Sequence, residues 1–320
     1  MGTRWSATLD ADKCLNVSAL KLDLAAAVDQ VDRQMSPWKP DSDLVRVNRA
    51  PVNAWVNLPA EMLEVLECAL DVHRLSAGAF DPCIGMLVNA WGFGAERDAP
   101  DAHAIRIARQ SQPPAAHACL ELDRAAGRVR KHAPVQLDLC GIAKGYAVDR
   151  MALVLQQHGT RHALAALDGE LRAVGGQFSG LPWSVALENP EFGRRAVHSV
   201  IELEDLAVAT SGDYRRYLQL GKARLAHTME PRHWTPVNNA VASVTLLAQT
   251  CMQADAWATA LLVAGPKEGL ALAQRMGMDV LFLLRLTEGL MALGLGRFGS
   301  ASGTPCPELQ SVETSGFLAD

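Results

Sequence analysis

The chain has 320 residues, of which 49% are hydrophobic and 20% charged, and carries a formal net charge of −5. That suits an ordinary globular protein with enough length to bury a sizeable core, in one large domain or two modest ones. The acidic balance gives no case for nucleic acid or an anionic membrane as partner, and a 5% aromatic content with no basic patch among stacking residues argues against a platform for single strands.

Residues 3–10 alternate enough to form a strand. SALKLDLAAAVDQVDRQMS (18–36) and PAEMLEVLECALDVHRLSAG (59–78) carry amphipathic helical spacing, the second ending at a C-cap near Gly78. DAHAIRIARQSQ (101–112) predicts a short helix halted by Pro113 and Pro114. ACLELDRAAGRVRKHAPVQLDL (118–139) predicts two strands around a glycine turn, and GIAKGYAVDRMALVLQQHG (141–159) a helix. From 162 to 249 the pattern is mostly strands: HALAALDGELRAVG, WSVALEN, HSVIELEDLAVAT, RLAHTME and VASVTLLA. QADAWATALLVAG (253–265) and PKEGLALAQRMG (266–277) predict two further helices, and DVLFLLRLTEGLMALGLG (279–296) a closing hairpin. Runs of strands broken by a few helices, without steady βαβ alternation, predict an α+β fold with a largely antiparallel sheet and flanking helices. No repeat, low-complexity segment or Pro/Gly/Ser linker divides the chain. The expectation is one two-lobed domain over 1–303 and a C-terminal tail over 304–320.

The seven cysteines form no CxxC, so neither a zinc site nor a disulfide framework is indicated, and a reducing compartment is favoured. No signal-peptide pattern and no membrane-length apolar run is visible. Cytoplasmic localisation is therefore expected, or periplasmic if an N-terminal segment has been removed. MGTRWS fits the short myristoylation pattern at Gly2.

Several segments combine chemistry-bearing residues, each with a plain structural alternative. GLGRFG (294–299) is a literal GxGxxG, but only a polar tail with Pro305 and Pro307 follows, so it reads as a turn and not a dinucleotide fingerprint. LDLCGIAKGYAVDR (137–150) leads from a strand into a helix with Asp138, Lys144 and Asp149 around two glycines. It suits either an anion at a helix N-terminus or a tight turn with a solvated lysine. ATSGDYRRYLQLGK (209–222) places Thr210, Ser211 and Gly212 at a strand end before Arg215 and Arg216, fit for a phosphate ester or simply a polar turn. GAFDPCIGMLVNAWGFG (78–94) is dense in glycines and aromatics, as a slot for a flat ring or a core corner would be. His227, in LAHTMEPRHWTPV, suits a general base at a strand end or a hydrogen-bonded structural histidine. In QADAWATALLVAG, Asp255 and Thr259 share one face of an apolar helix. Read alone, they are a helix-start carboxylate and a back-bonded hydroxyl, or two ligands of a metal ion.

In order and wording these segments, together with MSPWKPDSDLVRVNRAP and WSVALENP, resemble the ApbE-type FAD:protein FMN transferases over nearly the whole chain. The resemblance implies an enzyme that takes FAD as substrate with one or two divalent ions, usually Mg²⁺. It moves the FMN half of FAD to a Thr hydroxyl of a target flavoprotein and releases AMP. By the same resemblance Asp255, Thr259 and the carbonyl of Gly141 hold the metal, and Ala79, Phe80, Asp81 and Asp138 contact FAD. His227 is the candidate base. Lys144, the Thr210–Ser211–Gly212 turn and Arg215 fall to the phosphates or adenosine, and Trp5 and Trp38 join Phe80 around the rings. Two departures fall in the site, one beside a nucleotide pocket and the other putting His233 and Trp234 next to the candidate base. Asp168–Gly169–Glu170 stands where Gly-Gly-Asp is common, and EPRHW (230–234) where DPRTG is common. A metal-dependent FAD pyrophosphatase and an FAD-binding protein without turnover are the alternatives. The resemblance also puts MGT in the first strand of the fold, against myristoylation.

Overall fold

The computed structural model describes residues 3–10, 15–111, 113–220, 223–287 and 289–299. In chain order they form β1 (Trp5–Leu9), α1 (Val17–Met35), α2 (Asp43–Arg49), β2 (Trp55–Asn57), α3 (Ala60–Leu75), α4 (Gly85–Ala90), α5 (Ala102–Gln110) and α6 (Ala116–Cys119). Next come β3 (Leu120–Asp123), β4 (Arg128–Lys131), α7 (Ala143–Gln157), β5 (Ala163–Leu167), β6 (Glu170–Val174), β7 (Trp183–Glu188), β8 (Val197–Leu203) and β9 (Ala207–Gly212). The chain continues with β10 (Tyr217–Leu220), β11 (Ala223–Ala226), β12 (Met229–Glu230), β13 (Thr235–Pro236), β14 (Val241–Ala248), α8 (Cys251–Arg275), β15 (Asp279–Leu286) and β16 (Gly289–Leu295).

Seven strands make one sheet in the order β1-β5-β6-β9-β14-β15-β16, with every pairing antiparallel. The expected α+β class, antiparallel sheet and flanking helices are all present. On one face α7 packs over β5 and β6, and α8 over β9 and β14; α1 packs against α7 and α3 against α8. The main core is there, with Ala147, Met151, Leu155, Ala254, Ala258 and Leu261 sealed against Ala165, Ala209, Val244 and Phe282. Alanines dominate the facing helix surfaces, so the backbones approach closely. On the other face the β7–β8 hairpin lays Trp183 and Val185 over Ala173, Val208 and Leu247.

Departures from the expected elements have local causes. HSVIELEDLAVAT is two strands, not one, because Asp205 turns through φ 50° and its carboxylate accepts the Gly175 amide at 2.7 Å. Asp tolerates that left-handed region better than most residues. The two helices expected over 253–265 and 266–277 are both present within α8, which breaks at their expected boundary, where Gly265 leaves helical geometry (φ 76°) before Pro266. The short helices α2 and α4 have too few residues for a periodic signal. GLGRFG closes β16 and enters a single 3₁₀ turn, Gly296–Phe298, so the fingerprint reading is absent as expected. Among the described residues no helix is long and apolar enough to cross a membrane. Gly2 of the myristoylation pattern, Pro305, Pro307, the expected boundary at 303 and the 304–320 tail lie outside the described residues.

Candidate functional site

The site is built where the first turns of α7 and α8 meet. Neither helix is fully served by its own N-cap. Ile142, before α7, offers no side-chain cap, while Thr250 accepts only the Gln253 amide of α8 at 3.3 Å. Each helix instead borrows a carboxylate from the other. Asp149 of α7 accepts the Cys251 and Met252 amides of α8, both at 2.9 Å. Asp255 of α8 accepts the Gly145 amide in the first turn of α7 at 3.0 Å. Helix N-terminal amides are unpaired donors with a positive end dipole, so buried carboxylates stabilise both starts. The approach is possible because residue 145 is glycine: a Cβ there would lie 2.2 Å from the Cys251 carbonyl oxygen. Asp149→Ala should therefore destabilise the fold by about 2–3 kcal/mol, leaving two buried amides unpaired and Arg172 without its ion pair. A lower denaturant midpoint at unchanged slope is the expected observation.

Asp255 is thus a cap, but of the neighbouring helix, and only one of its carboxylate oxygens is used. It is 3% exposed, and burial holds its carboxyl above the usual carboxylate range, opposed by the Lys144 charge and the Gly145 bond. One turn on, Thr259 does not bond back to its own helix. Its Oγ1 meets Ser211 Oγ at 2.9 Å. Gly141 lies against it, since a Cβ on Gly141 would stand 3.2 Å from Thr259 Oγ1 and 3.3 Å from the Phe80 ring. Asp255, Thr259 and the Gly141 backbone therefore converge. The donor set is all oxygen, with one carboxylate oxygen unpartnered, which fits a hard divalent cation completed by water or phosphate oxygens. No group of three or more His, Cys, Asp or Glu able to hold a metal exists among the described residues.

Lys144, at the second position of α7, reaches Glu170 at the start of β6 at 2.5 Å. Burial works against the lysine's charge, but Glu170 and Asp255 outweigh it and push its pKa up. Burial also lifts the Glu170 carboxyl, while its Oε2 is buried with no partner. These groups form the floor of a cavity of about 1130 Å³, above the roughly 300–1,000 Å³ usual for ligand pockets.

The walls are equally local in origin. In the Gly78–Phe80 turn, Ser76 Oγ accepts the Phe80 amide at 3.1 Å and His73 Nδ1 donates to the Phe80 carbonyl at 2.9 Å, which fixes the ring against Gly141. Asp81 and Asp138 each accept a backbone amide two residues on, from Cys83 at 2.7 Å and Cys140 at 2.8 Å. Burial raises both carboxyls above the usual range. Asn48 of α2 clamps the amide and carbonyl of Leu137, positioning the loop that carries Asp138 and Gly141.

Opposite, Thr210–Gly212 are not a free turn: they continue β9, paired with β14. β6 pairs with β9 only at Val208 and Ala207, so beyond Val208 the other edge of β9 opens onto the cavity. Arg215 is held by Glu188 and by Asp168 at 3.5 Å. His227 sits just past β11, half-buried, with Nδ1 donating to the Arg216 carbonyl at 3.1 Å and the Phe93 ring edge-on at 6.3 Å. That bond sets the tautomer and leaves Nε2 as the proton acceptor. Burial first, then the Arg216 guanidinium, pushes its pKa down to about 4.

Ala79, Phe80, Asp81, Asp138, Gly141, Lys144, Asp168, Glu170, Thr210, Ser211, Gly212, Arg215, His227, Asp255, Thr259 and Trp38 all line this cavity. Trp5 does not; it packs half-buried on the main core from β1. Glu188 and Tyr214 also line the cavity and were missed, because an acid or a tyrosine in a polar stretch carries no periodic signal; Arg216, read with Arg215 as fit for a phosphate ester, lines it too. The two departures share one explanation. Asp168 (φ 56°) and Trp234 (φ 55°) both occupy left-handed backbone, where glycine is the usual residue. Trp234 is 8% exposed and packs with Leu87, Ala90 and Met229 behind the cavity wall without lining it, and His233 bonds Glu230 at 2.5 Å. Neither residue fills the space beside His227.

The sequence model of the ApbE family matches residues 1–282. A Vibrio cholerae protein named FAD:protein FMN transferase is 35% identical over 273 residues, covering 84% of this chain and 80% of that protein. A Klebsiella pneumoniae protein of the same name is 32% identical over 295 residues, covering 90% and 83%. Among solved structures, the flavin transferase ApbE from Vibrio cholerae superposes with a TM-score of 0.83 at 31% identity, over 93% of this chain and 95% of that one. The apo form of the Pseudomonas stutzeri flavinyl transferase ApbE gives 0.82 at 32% identity, over 92% of each. Whole-chain likeness in sequence and in fold leads to one conclusion: the chain belongs to the ApbE family.

Proposed function

We propose that this enzyme transfers the FMN moiety of FAD to a Thr hydroxyl of a target flavoprotein, with Mg²⁺, and releases AMP. The observation that carries the reading is the convergence of Asp255, Thr259 and Gly141 on the floor of a cavity whose wall holds His227. The names of the relatives support it at the level of flavin transfer to protein.

Asp255, Thr259 and the Gly141 carbonyl would hold the metal, which supplies neutralising charge to pyrophosphate oxygens. Lys144 adds a fixed cation beside them, held by Glu170 so that it cannot swing to solvent. His227, neutral near pH 7, takes the proton of the acceptor hydroxyl at Nε2. The hydroxyl oxygen bonds the FMN-side phosphorus as the bond to the AMP-side bridging oxygen breaks, and AMP carries that electron pair away. Positioning, more than covalent chemistry from the protein, is what such a displacement needs. Phe80 against Gly141 offers a flat apolar wall to a ring system.

Chromatographic detection of AMP in the presence of FAD and Mg²⁺, with and without an acceptor flavoprotein, tests the reading. AMP release that requires the acceptor, together with a fluorescent covalent label on it, is the expected result. Acceptor-independent release of FMN and AMP would mean a pyrophosphatase. Tight FAD binding with no AMP would mean a binding protein.

A further inference from the structure

Two consecutive arginines enter the cavity wall after β9, and the structure treats them differently. Arg215 is spent on Glu188 and Asp168. The Arg216 side chain has no hydrogen bond or ion pair among the described residues, although it lines the same cavity. It stands close enough to Asp138, Cys140 and His227 to act on all three electrostatically. Its backbone carbonyl is also the acceptor that orients His227. One residue therefore fixes the candidate base through its main chain and brings a guanidinium without an ion-pair partner among the described residues to the same place. A cation with five donors and no carboxylate partner, beside a base poised for a hydroxyl, is suited to a planar cluster of phosphoryl oxygens.

We infer that Arg216 is a further catalytic residue, whose guanidinium binds the non-bridging oxygens of the phosphoryl group under attack, on the His227 side of the cavity. The inference rests on the transfer reading above. In that step the acceptor O–H bond gives its proton to His227 Nε2, the new O–P bond forms, and the P–O bond to AMP breaks. Negative charge gathers on the non-bridging oxygens, where Arg216 stabilises it, while the metal ligands and Lys144 lie on the floor. The charged side chains acting on His227 are Arg216 and Lys144; Glu230 is taken up by His233 and the Arg232 amide, and the Phe93 ring is neutral. The Arg216 guanidinium thus has a second effect, keeping His227 unprotonated near neutral pH.

Arg216→Gln and Arg216→Lys separate these roles without touching the backbone carbonyl. Arg216→Gln should lower kcat for acceptor labelling by about 100-fold, as loss of one transition-state donor does, with a smaller change in FAD affinity. Arg216→Lys should recover part of that loss. The His227 ring titration, followed by NMR in both proteins, should move upward in Arg216→Gln, and the acid limb of the rate profile with it. Labelling within threefold of the parent enzyme together with an unmoved His227 titration would overturn the inference. If the parent enzyme itself labels no acceptor and releases no AMP, the transfer reading fails. The NMR titration and FAD binding then still decide whether Arg216 faces the base and holds the dinucleotide phosphates.

Discussion

Asp255→Asn should reduce Mg²⁺-dependent cleavage of FAD by at least about 1,000-fold, the rate equivalent of the several kcal/mol a bound metal contributes to phosphoryl transfer. Asparagine keeps an oxygen to accept the Gly145 amide, so the cap on α7 survives and the charge alone is removed. Circular dichroism and the denaturant midpoint should change little, while Mg²⁺ binding by calorimetry should be lost. Asp255→Ala removes the cap as well and should cost about 1 kcal/mol more in stability, the usual range for losing a helix cap. Cleavage by Asp255→Asn at the parent rate would reduce Asp255 to a partner of Gly145 and remove the metal from the mechanism.

His227→Gln should lower acceptor labelling by about 10²–10⁴-fold, the range for losing a positioned general base, while FAD and Mg²⁺ binding hold. The pH dependence has a definite sign. A base works when unprotonated, and burial with Arg216 pushes His227 down to about 4. Labelling should therefore stay level from pH 7 to about pH 5 and fall only as pH drops through about 4, with no limb near the ordinary histidine value of about 6.5. A variant that labels as fast as the parent, or a parent profile governed by a group near 6.5, would remove His227 as the base.

Much of the fold was legible because its long elements carry strong periodicity: α1, α3, α7, and the β14, β15 and β16 strands lie where their patterns predict. What escaped was short or contextual. α2 and α4 span less than two and a half turns, and β9 was joined to β8 because Asp205 turns the chain without a glycine or proline to announce it. At the site, Asp255, Thr259 and Gly141 could be matched through the family resemblance, yet their spacing alone left scaffold and metal site open. The decisive facts are tertiary. Asp255 caps a helix more than a hundred residues away in sequence, Thr259 of α8 meets Ser211 of β9 where helix and sheet pack, and Arg216 is set apart from Arg215 only by where carboxylates fall. Conversely, sequence reading set His233 and Trp234 beside the base, whereas Trp234 turns into its own small core under α4.

The exchange of carboxylates between α7 and α8 also bears on how the cavity floor breathes. A helix start is ordinarily among the first places to open in local fluctuations, because its amides face solvent. Here the amides of Gly145, Cys251 and Met252 are tied to the opposite helix, so neither end can fray while its neighbour stays wound. The two ends open together or not at all, and opening must disturb the buried alanine seam beneath them. Slow amide exchange should therefore mark the floor, and exchange should be faster in β10 and β11, which among the described residues pair only with each other. A dinucleotide bound in this cavity would meet a seat that is already rigid, and little of its affinity would be lost to ordering the protein.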